Sequence, residues 1–186
     1  MEEFVKRAEE LGLEVYQPTV EHDLIFSNWY VYLNESGDFD RIFTERLRPL
    51  SQFMANFQTP TITTFARDDT HNVWICAWFA TFSDIASGVF MHIWCREDMR
   101  GTKEQYQLTH LIYSFATAAW PVVIGITKHE DTLHIHRKMG YNIVGKIPKM
   151  LDMQDVWVLY LTRELFENSR FYKIGDKVNG WRKRKS

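Results

Sequence analysis

The sequence predicts one α/β domain of the α+β kind, with a central β-sheet and helices on both of its faces. Helical patterns come first, followed by three strand patterns, a strong amphipathic helix, a buried strand, a short helix and two final strands. A central sheet is the natural packing for this order. The length of 186 residues suits one domain. Hydrophobic residues make up 45% of the chain and aromatic residues 15%, which is enough for a substantial core and argues against bulk disorder.

Helices in the first third of the chain are indicated by the spacing of apolar residues. Positions 4, 5, 8 and 11 share one helical face, and Gly12 is a suitable residue to end that helix. After an extended piece at 13–16, a second helix is predicted over 20–33 and a third over 40–57. Pro49 should break or kink the third helix, because proline lacks the backbone N–H that a helix interior needs.

The middle of the chain has strand patterns. Residues 61–66 and 73–82 are separated by the polar turn 67–72 and predict an antiparallel hairpin. Residues 88–95 predict the next strand, whose side chains alternate between two faces. One face carries Val89, Met91, Ile93 and Cys95, and the other carries Phe90, His92 and Trp94.

The clearest helix begins near Thr102 and ends before Trp120. Its apolar residues recur at spacings of three and four, and Thr102 and Gln105 have the spacing of a capping box. The rest of this half predicts a buried strand, a short helix and two strands, at 122–127, 131–139, 141–147 and 156–161.

Charge and cysteine content narrow the function classes. The chain has 22 lysines and arginines against 24 acidic residues, a net charge of −2, so it is not a basic nucleic-acid coat. The apolar runs are too short to cross a bilayer, and the charged N-terminus is unlike a signal peptide, so no membrane partner is expected. Cys76 and Cys95 make neither a disulfide scaffold nor a zinc site, and no metal is predicted. A reducing cytoplasm is the expected location, that of a host cell if the protein is viral.

The domain is predicted to span residues 1–168, with 169–186 as a peripheral segment. That segment ends in a basic tail at 182–185, beside Trp181. Such a tail either contacts nucleic acid or a membrane surface, or is a solvated end of the chain.

The turn before the strong helix is a candidate anion site. The first amides of a helix have no intrahelical acceptor and lie at the positive end of the helix dipole, so such a turn can hold a phosphate or pyrophosphate. Arg100 and Lys103 add cationic side chains, and Gly101 allows close approach of the backbone. The alternative is a capped helix start with solvated charges.

Two runs resemble motifs of the GNAT superfamily of N-acetyltransferases. MRGTKEQYQLTHLIYSFA, preceded by a strand, is similar to the acyl-CoA-binding motif, and VVIGITKHEDTLHIHRKMGYNIVGKIP to the later strand–helix–strand motif. The resemblance covers residues 60–162. It implies a GNAT fold, whose mixed, mostly antiparallel sheet splays between its fourth and fifth strands, here 88–95 and 122–127, so that acyl-CoA enters the gap.

The resemblance implies an acyl-CoA-dependent N-acyltransferase that uses acetyl-CoA as co-substrate and acts on an unidentified amine by direct attack on the thioester. His92 is the candidate base, and His136 aligns with the family's general-acid tyrosine. The residues implied in acyl-CoA binding are Trp94, Cys95, Arg96, Arg100, Gly101, Thr102, Lys103, Glu104, Gln105 and His129.

The chain departs from the family pattern at several of these positions. Lys103 and Gln105 stand where the family has small residues, and His129 stands where it has asparagine. A lysine there can pair with phosphate or fill the space that phosphate needs. Other roles stay open at the same positions: His92 as a hydrogen-bonded core residue, and His136 as a half-exposed helix residue. Cys95 is interpreted as a small apolar residue.

A second hypothesis follows from these departures. The chain resembles divergent GNAT-like proteins of phages, and on this hypothesis it is a catalytically degenerate binding protein associated with a virion or with nucleic acid. Its partners would then be virion proteins or nucleic acid, in place of an amine substrate. A homodimer is compatible with either hypothesis.

Overall fold

The computed structural model describes residues 2–58, 61–81, 87–151 and 153–178. Within these ranges the strands are β1 (Glu14–Val15), β2 (Thr61–Arg67), β3 (Val73–Thr81), β4 (Gly88–Cys95), β5 (Val122–Thr127), β6 (Asn142–Leu151) and β7 (Gln154–Leu161). The helices are α1 (Glu2–Glu10), α2 (Val20–Ser36), α3 (Asp38–Ile42), α4 (Leu50–Gln58), α5 (Lys103–Ala119), α6 (Leu133–Lys138), α7 (Arg163–Asn168) and α8 (Arg170–Val178). The predicted order of elements is confirmed from β2 to β7, and the helices α7 and α8 that follow β7 were not predicted.

One sheet of seven strands runs through the described residues in the order β1-β2-β3-β4-β5-β7-β6. Neighbouring strands are antiparallel except β4 and β5, which are parallel. The parallel pairing joins only Gly88–Phe90 to Val122–Ile124. Beyond Phe90 the two strands diverge, so the predicted splay of the sheet is confirmed.

Helices cover both faces of the sheet, as predicted. On one face α1, α5 and α7 bury Ala8, Leu111 and Phe166 against the sheet. On the other, α2 and α4 bury residues such as Trp29 and Phe57. The alternation predicted for β4 holds, because Met91 belongs to the first cluster and Trp94 to the second. The two faces of β4 therefore face different layers of the protein.

The α2 face is packed mainly by aromatic rings. Phe43 stacks on Trp78 with centroids 5.3 Å apart, and Trp29 meets Phe53 edge to face at 5.6 Å. Ring pairs of this kind each add about 0.5–1.5 kcal/mol beyond area burial. This packing holds α2, and with it the start of α3, against the sheet.

The single helix predicted over 40–57 is wrong. The segment forms α3, a 3₁₀ turn at Glu45–Leu47 and then α4. Pro49 lies immediately before α4, where its missing N–H costs nothing, so the predicted break is correct. A second break at Phe43 was not predicted: its backbone is extended, which lets its ring enter the core.

The segment after residue 168 packs on α5. Ser169 is buried, and Phe171 and Tyr172 lie against the core cluster. Tyr106 donates a hydrogen bond to the carbonyl of Phe171 at 2.5 Å. The basic tail at 182–185 lies outside the described residues. None of the helices within the described ranges combines the length and apolar composition that a bilayer crossing requires.

Candidate active site

A cleft of about 520 Å³ opens where β4 and β5 diverge. Within the described residues, Met91–Cys95 have no partner on β5. In an antiparallel ladder alternate residues direct their N–H and C=O groups away from the paired neighbour. Along Val89–Cys95 the other edge of β4 pairs with β3. The β4 amides past Phe90 that point away from β3 therefore face the cleft. The cleft thus has an open strand edge as one wall.

The α5 N-terminus lies at one end of this cleft and is capped by its own side chains. Thr102 Oγ1 accepts a hydrogen bond from Gln105 N at 3.2 Å, as the capping-box spacing predicted. The returning bond runs from Gly101 N to Gln105 Oε1, also at 3.2 Å. Gly101 has a φ of 82°, a conformation that glycine adopts without strain.

Gln105 is the residue that the resemblance to the GNAT motif aligned with a small residue. Its Oε1 takes the Gly101 amide, and its Nε2 donates to Thr109 Oγ1 at 2.9 Å. By helix geometry the amides of Lys103 and Glu104 have no intrahelical acceptor, and both side chains are exposed. The turn therefore offers an anion these two backbone amides and the Lys103 ammonium group, but the Gly101 amide is already bonded to Gln105.

The two arginines of this turn have different positions. Arg100 lines the cleft and donates from Nε to the Cys95 carbonyl at 3.0 Å. Arg96 pairs with Asp68 and Asp98, each at 2.7 Å, and lines a separate surface hollow. Its guanidinium is held there by two carboxylates, away from the cleft.

His92 lines the cleft from β4 and stacks on Trp78, with ring centroids 5.1 Å apart and an interplanar angle of 11°. Burial lowers the pKa of His92 to about 4. Its imidazole is therefore neutral at pH 7 and able to accept a proton, though weakly, since basicity falls with pKa.

His136 lines the cleft from α6, with its ring edge-on to Tyr141 at 5.4 Å. Its Nδ1 is buried and has no hydrogen-bond partner among the described residues. Burial lowers the pKa of His136, so the neutral form is favoured. A neutral imidazole has one N–H donor and one acceptor, so it can hydrogen-bond to a ligand without first losing a proton.

The loop after β5 is tied to α3 across the cleft. Lys128 Nζ donates to the Asp40 carbonyl at 2.9 Å, and His129 Nε2 lies 3.3 Å from the Arg41 carbonyl. His129, which the sequence placed among acyl-CoA-binding residues, thus lies at the α3 end of the cleft. Cations suit this position because a helix C-terminus carries partial negative charge.

Cys95 has the character of a neutral thiol. Burial raises its pKa to about 11, which leaves almost no thiolate at neutral pH. This agrees with its interpretation as a small apolar residue. Among the described residues no group of three or more His, Cys, Asp or Glu side chains could hold a metal ion.

No protein-family model and no curated protein matches the chain. Solved structures resemble it. A GNAT superfamily phosphinothricin acetyltransferase from Sinorhizobium meliloti, solved in complex with AcCoA, is 19% identical, with a TM-score of 0.59 over 81% of this chain and 88% of that one. The chain has the GNAT fold.

Two other structures extend this likeness of the GNAT fold. Spermidine N-acetyltransferase from Vibrio cholerae, solved with CoA and spermine, is 11% identical, with a TM-score of 0.60 over 84% of this chain and 99% of that one. Ribosomal-protein-S5-alanine acetyltransferase from Vibrio fischeri is 7% identical, with a TM-score of 0.63 over 83% of this chain and 95% of that one.

Several residues that line the GNAT cleft were not predicted as site residues. Thr109 and Tyr113 face it from α5, at successive intervals of four residues after Gln105, which was predicted. This polar stripe on an apolar helix was the sequence signal that could have revealed the cleft face. Asp38 and Arg41 also line the cleft, but they lie on a short helix without apolar periodicity, so nothing local marks them.

Proposed function

We propose that the protein is an acyl-CoA-dependent N-acyltransferase, with acetyl as the acyl group, that acts on a primary amine. The observation that carries the proposal is the parting of β4 and β5 beside the N-terminus of α5. An open strand edge supplies backbone donors and acceptors, and a helix start supplies amides for an anion. Acetyl-CoA carries both matching parts, an amide-containing arm and a pyrophosphate.

The residues of the cleft fit acetyl-CoA, with one adjustment. The α5 amides and Lys103 would bind the pyrophosphate, and the β4 edge would bind the amide arm. Gln105 must either release the Gly101 amide or donate its own Nε2 to a phosphate oxygen. Lys103 at the first helical position is unfavourable beside the positive end of the helix dipole, and a bound anion would relieve that repulsion.

In the proposed reaction β4 supplies the electrophilic part of the site. Amides near Trp94 and Cys95 would hydrogen-bond to the thioester carbonyl and stabilise negative charge as the amine attacks. His92, neutral through the physiological range, accepts a proton from the amine directly or through water.

His136 is proposed to stabilise the departing thiolate. Because its pKa is lowered, imidazolium is scarce at neutral pH, so a hydrogen bond from the neutral ring is favoured over transfer of a proton. The variant His136→Phe should lower kcat with little effect on acetyl-CoA affinity. Equal kcat in the variant would remove His136 from the mechanism.

The decisive experiment is calorimetric titration with acetyl-CoA, with desulfo-CoA and ATP as comparison ligands. We expect a micromolar dissociation constant and a loss of at least tenfold in the variant Lys103→Glu. Lys138→Glu, the same charge change at an exposed position of α6, is the matched control and should leave the affinity unchanged. The absence of binding at millimolar acetyl-CoA would refute the proposal.

That negative outcome would favour the second hypothesis, a binding protein built on the GNAT fold. The observation relevant to it is Gln105, whose side chain bonds the Gly101 amide. The variant Gln105→Ala distinguishes the two cases. If Gln105 only occupies the Gly101 amide, the variant should strengthen acetyl-CoA binding several-fold, whereas weaker binding would show that Gln105 Nε2 donates to a phosphate oxygen. Binding in the variant but not in wild type would show that Gln105 closes the site. The phage kinship and the virion, nucleic-acid and homodimer partners stay predictions.

A further inference from the structure

One end of the cleft carries a buried carboxylate between two guanidinium groups. Asp38 is 8% exposed, and its Oδ2 accepts a hydrogen bond from Trp94 Nε1 at 3.0 Å. Arg41 Nη1 lies 3.8 Å from Asp38 Oδ1, and Arg100 Nη2 lies 3.8 Å from Oδ2. Both distances exceed hydrogen-bond length, so the carboxylate holds the two cations nearby without saturating either.

The charges around this carboxylate favour an anion. Arg41, Arg100 and Lys128 line the cleft, against the carboxylates of Asp38 and Asp131. The Arg41 side chain is 56% exposed, so it is solvated and accessible from the cleft. A site of this kind attracts an anionic group and repels a polycation.

Arg41 is also held in place from the opposite side of the cleft. His129 Nε2 lies 3.3 Å from the Arg41 carbonyl, and Lys128 Nζ donates to the carbonyl of the preceding residue, Asp40. These contacts hold the main chain of α3, and the charge of Asp38, 3.8 Å away, keeps the Arg41 guanidinium nearby without a hydrogen bond. A guanidinium presents parallel N–H donors that match a carboxylate or phosphate.

We propose that the acceptor is an amine that also carries a carboxylate or phosphate, and that Arg41 binds this anionic group. This inference rests on the proposed function and names the substrate class of the same site. The amine would lie toward β4 and His92, and the anionic group toward α3. Arg41 would be a specificity-determining residue, with Asp38 as the residue that positions it.

The test is a comparison of initial rates, with acetyl-CoA, for matched pairs of acceptors. One arm pairs α-amino acids with their amides, and the other pairs phosphoethanolamine with ethanolamine, so the two anionic groups are distinguished. We expect kcat/KM at least tenfold higher for the anionic member of one arm. The α-amine of an amino acid amide is less basic than that of the amino acid, so a larger fraction of it is in the unprotonated, reactive form. Intrinsic reactivity alone would therefore favour the amide.

The variant Arg41→Gln should reduce that preference to about one, mainly by raising KM for the anionic acceptor. Arg41→Lys keeps the positive charge but loses the paired N–H donors of the guanidinium, so it should retain part of the preference for anionic acceptors. Arg46→Gln, at an exposed arginine of the turn after α3, is the matched control and should retain all of it.

Three results would overturn the inference: neutral acceptors preferred in both arms, a preference unchanged in Arg41→Gln, or acetyl-CoA binding with no acetylation of any anionic acceptor. Failure of acetyl-CoA to bind is a different result, because it refutes the proposed function itself. The calorimetric titration therefore precedes the rate measurements.

Discussion

His92 should add to the fold a pH dependence of stability between pH 6.5 and about pH 4. Its pKa falls from 6.5 to about 4 on folding because the ring is buried. Between these values the unfolded chain binds a proton that the folded chain does not. The stabilisation is therefore complete above pH 6.5, and it is lost progressively as the pH falls toward 4.

The size of the effect follows from the two pKa values. For one site, acidification from pH 7.5 to pH 5 should cost about 2 kcal/mol of unfolding free energy, and the full shift corresponds to about 3 kcal/mol. The assay is urea denaturation at pH 7.5, 6 and 5 for wild type and His92→Asn. The variant should lose about 2 kcal/mol less than wild type over this range.

His134→Asn is the control for that comparison, because it removes an exposed imidazole on α6. The relevant quantity is the difference in pH dependence between variants, so a general loss of stability in His92→Asn does not obscure it. Parallel losses in wild type and His92→Asn would refute the reasoning and place His92 in water in the folded state. A direct check is an NMR titration of the His92 ring, which should stay neutral at pH 5.

Two further predictions concern packing. In Gly175→Ala the new Cβ would lie 1.9 Å from His110 Cδ2, so the free energy of unfolding, measured by heat or urea, should fall by about 1–3 kcal/mol. Gly145→Ala is the control, because no heavy atom lies within 4 Å of its added Cβ. Equal midpoints in the two variants would contradict the packing of α8 on α5. Trp94→Phe removes the hydrogen-bond donor to Asp38, so the free energy of unfolding measured in urea should fall by about 1–3 kcal/mol. An unchanged midpoint would show that the Asp38 carboxylate finds another partner.

Local patterns in the sequence were enough for most elements between β2 and β7 and for the capped turn. The alternation along 88–95 correctly assigned the two faces of β4, because side chains on a strand alternate regardless of what packs against them. Thr102 and Gln105 correctly placed the start of α5, since a capping box is closed within a few residues. The break at Pro49 was equally local. The separation of β4 from β5 was predicted only from the resemblance to GNAT motifs, because residue spacing does not indicate where neighbouring strands diverge.

The sequence by itself determined most of the helices and strands as far as β7, and which turn could bind an anion, because each depends on neighbouring residues. Only the tertiary structure decided the chemistry of the cleft. Burial made His92 a neutral ring, and long-range packing brought Asp38 and Arg41 to Arg100. Desolvation and through-space charge depend on residues far apart in the chain, so local patterns carry no record of them.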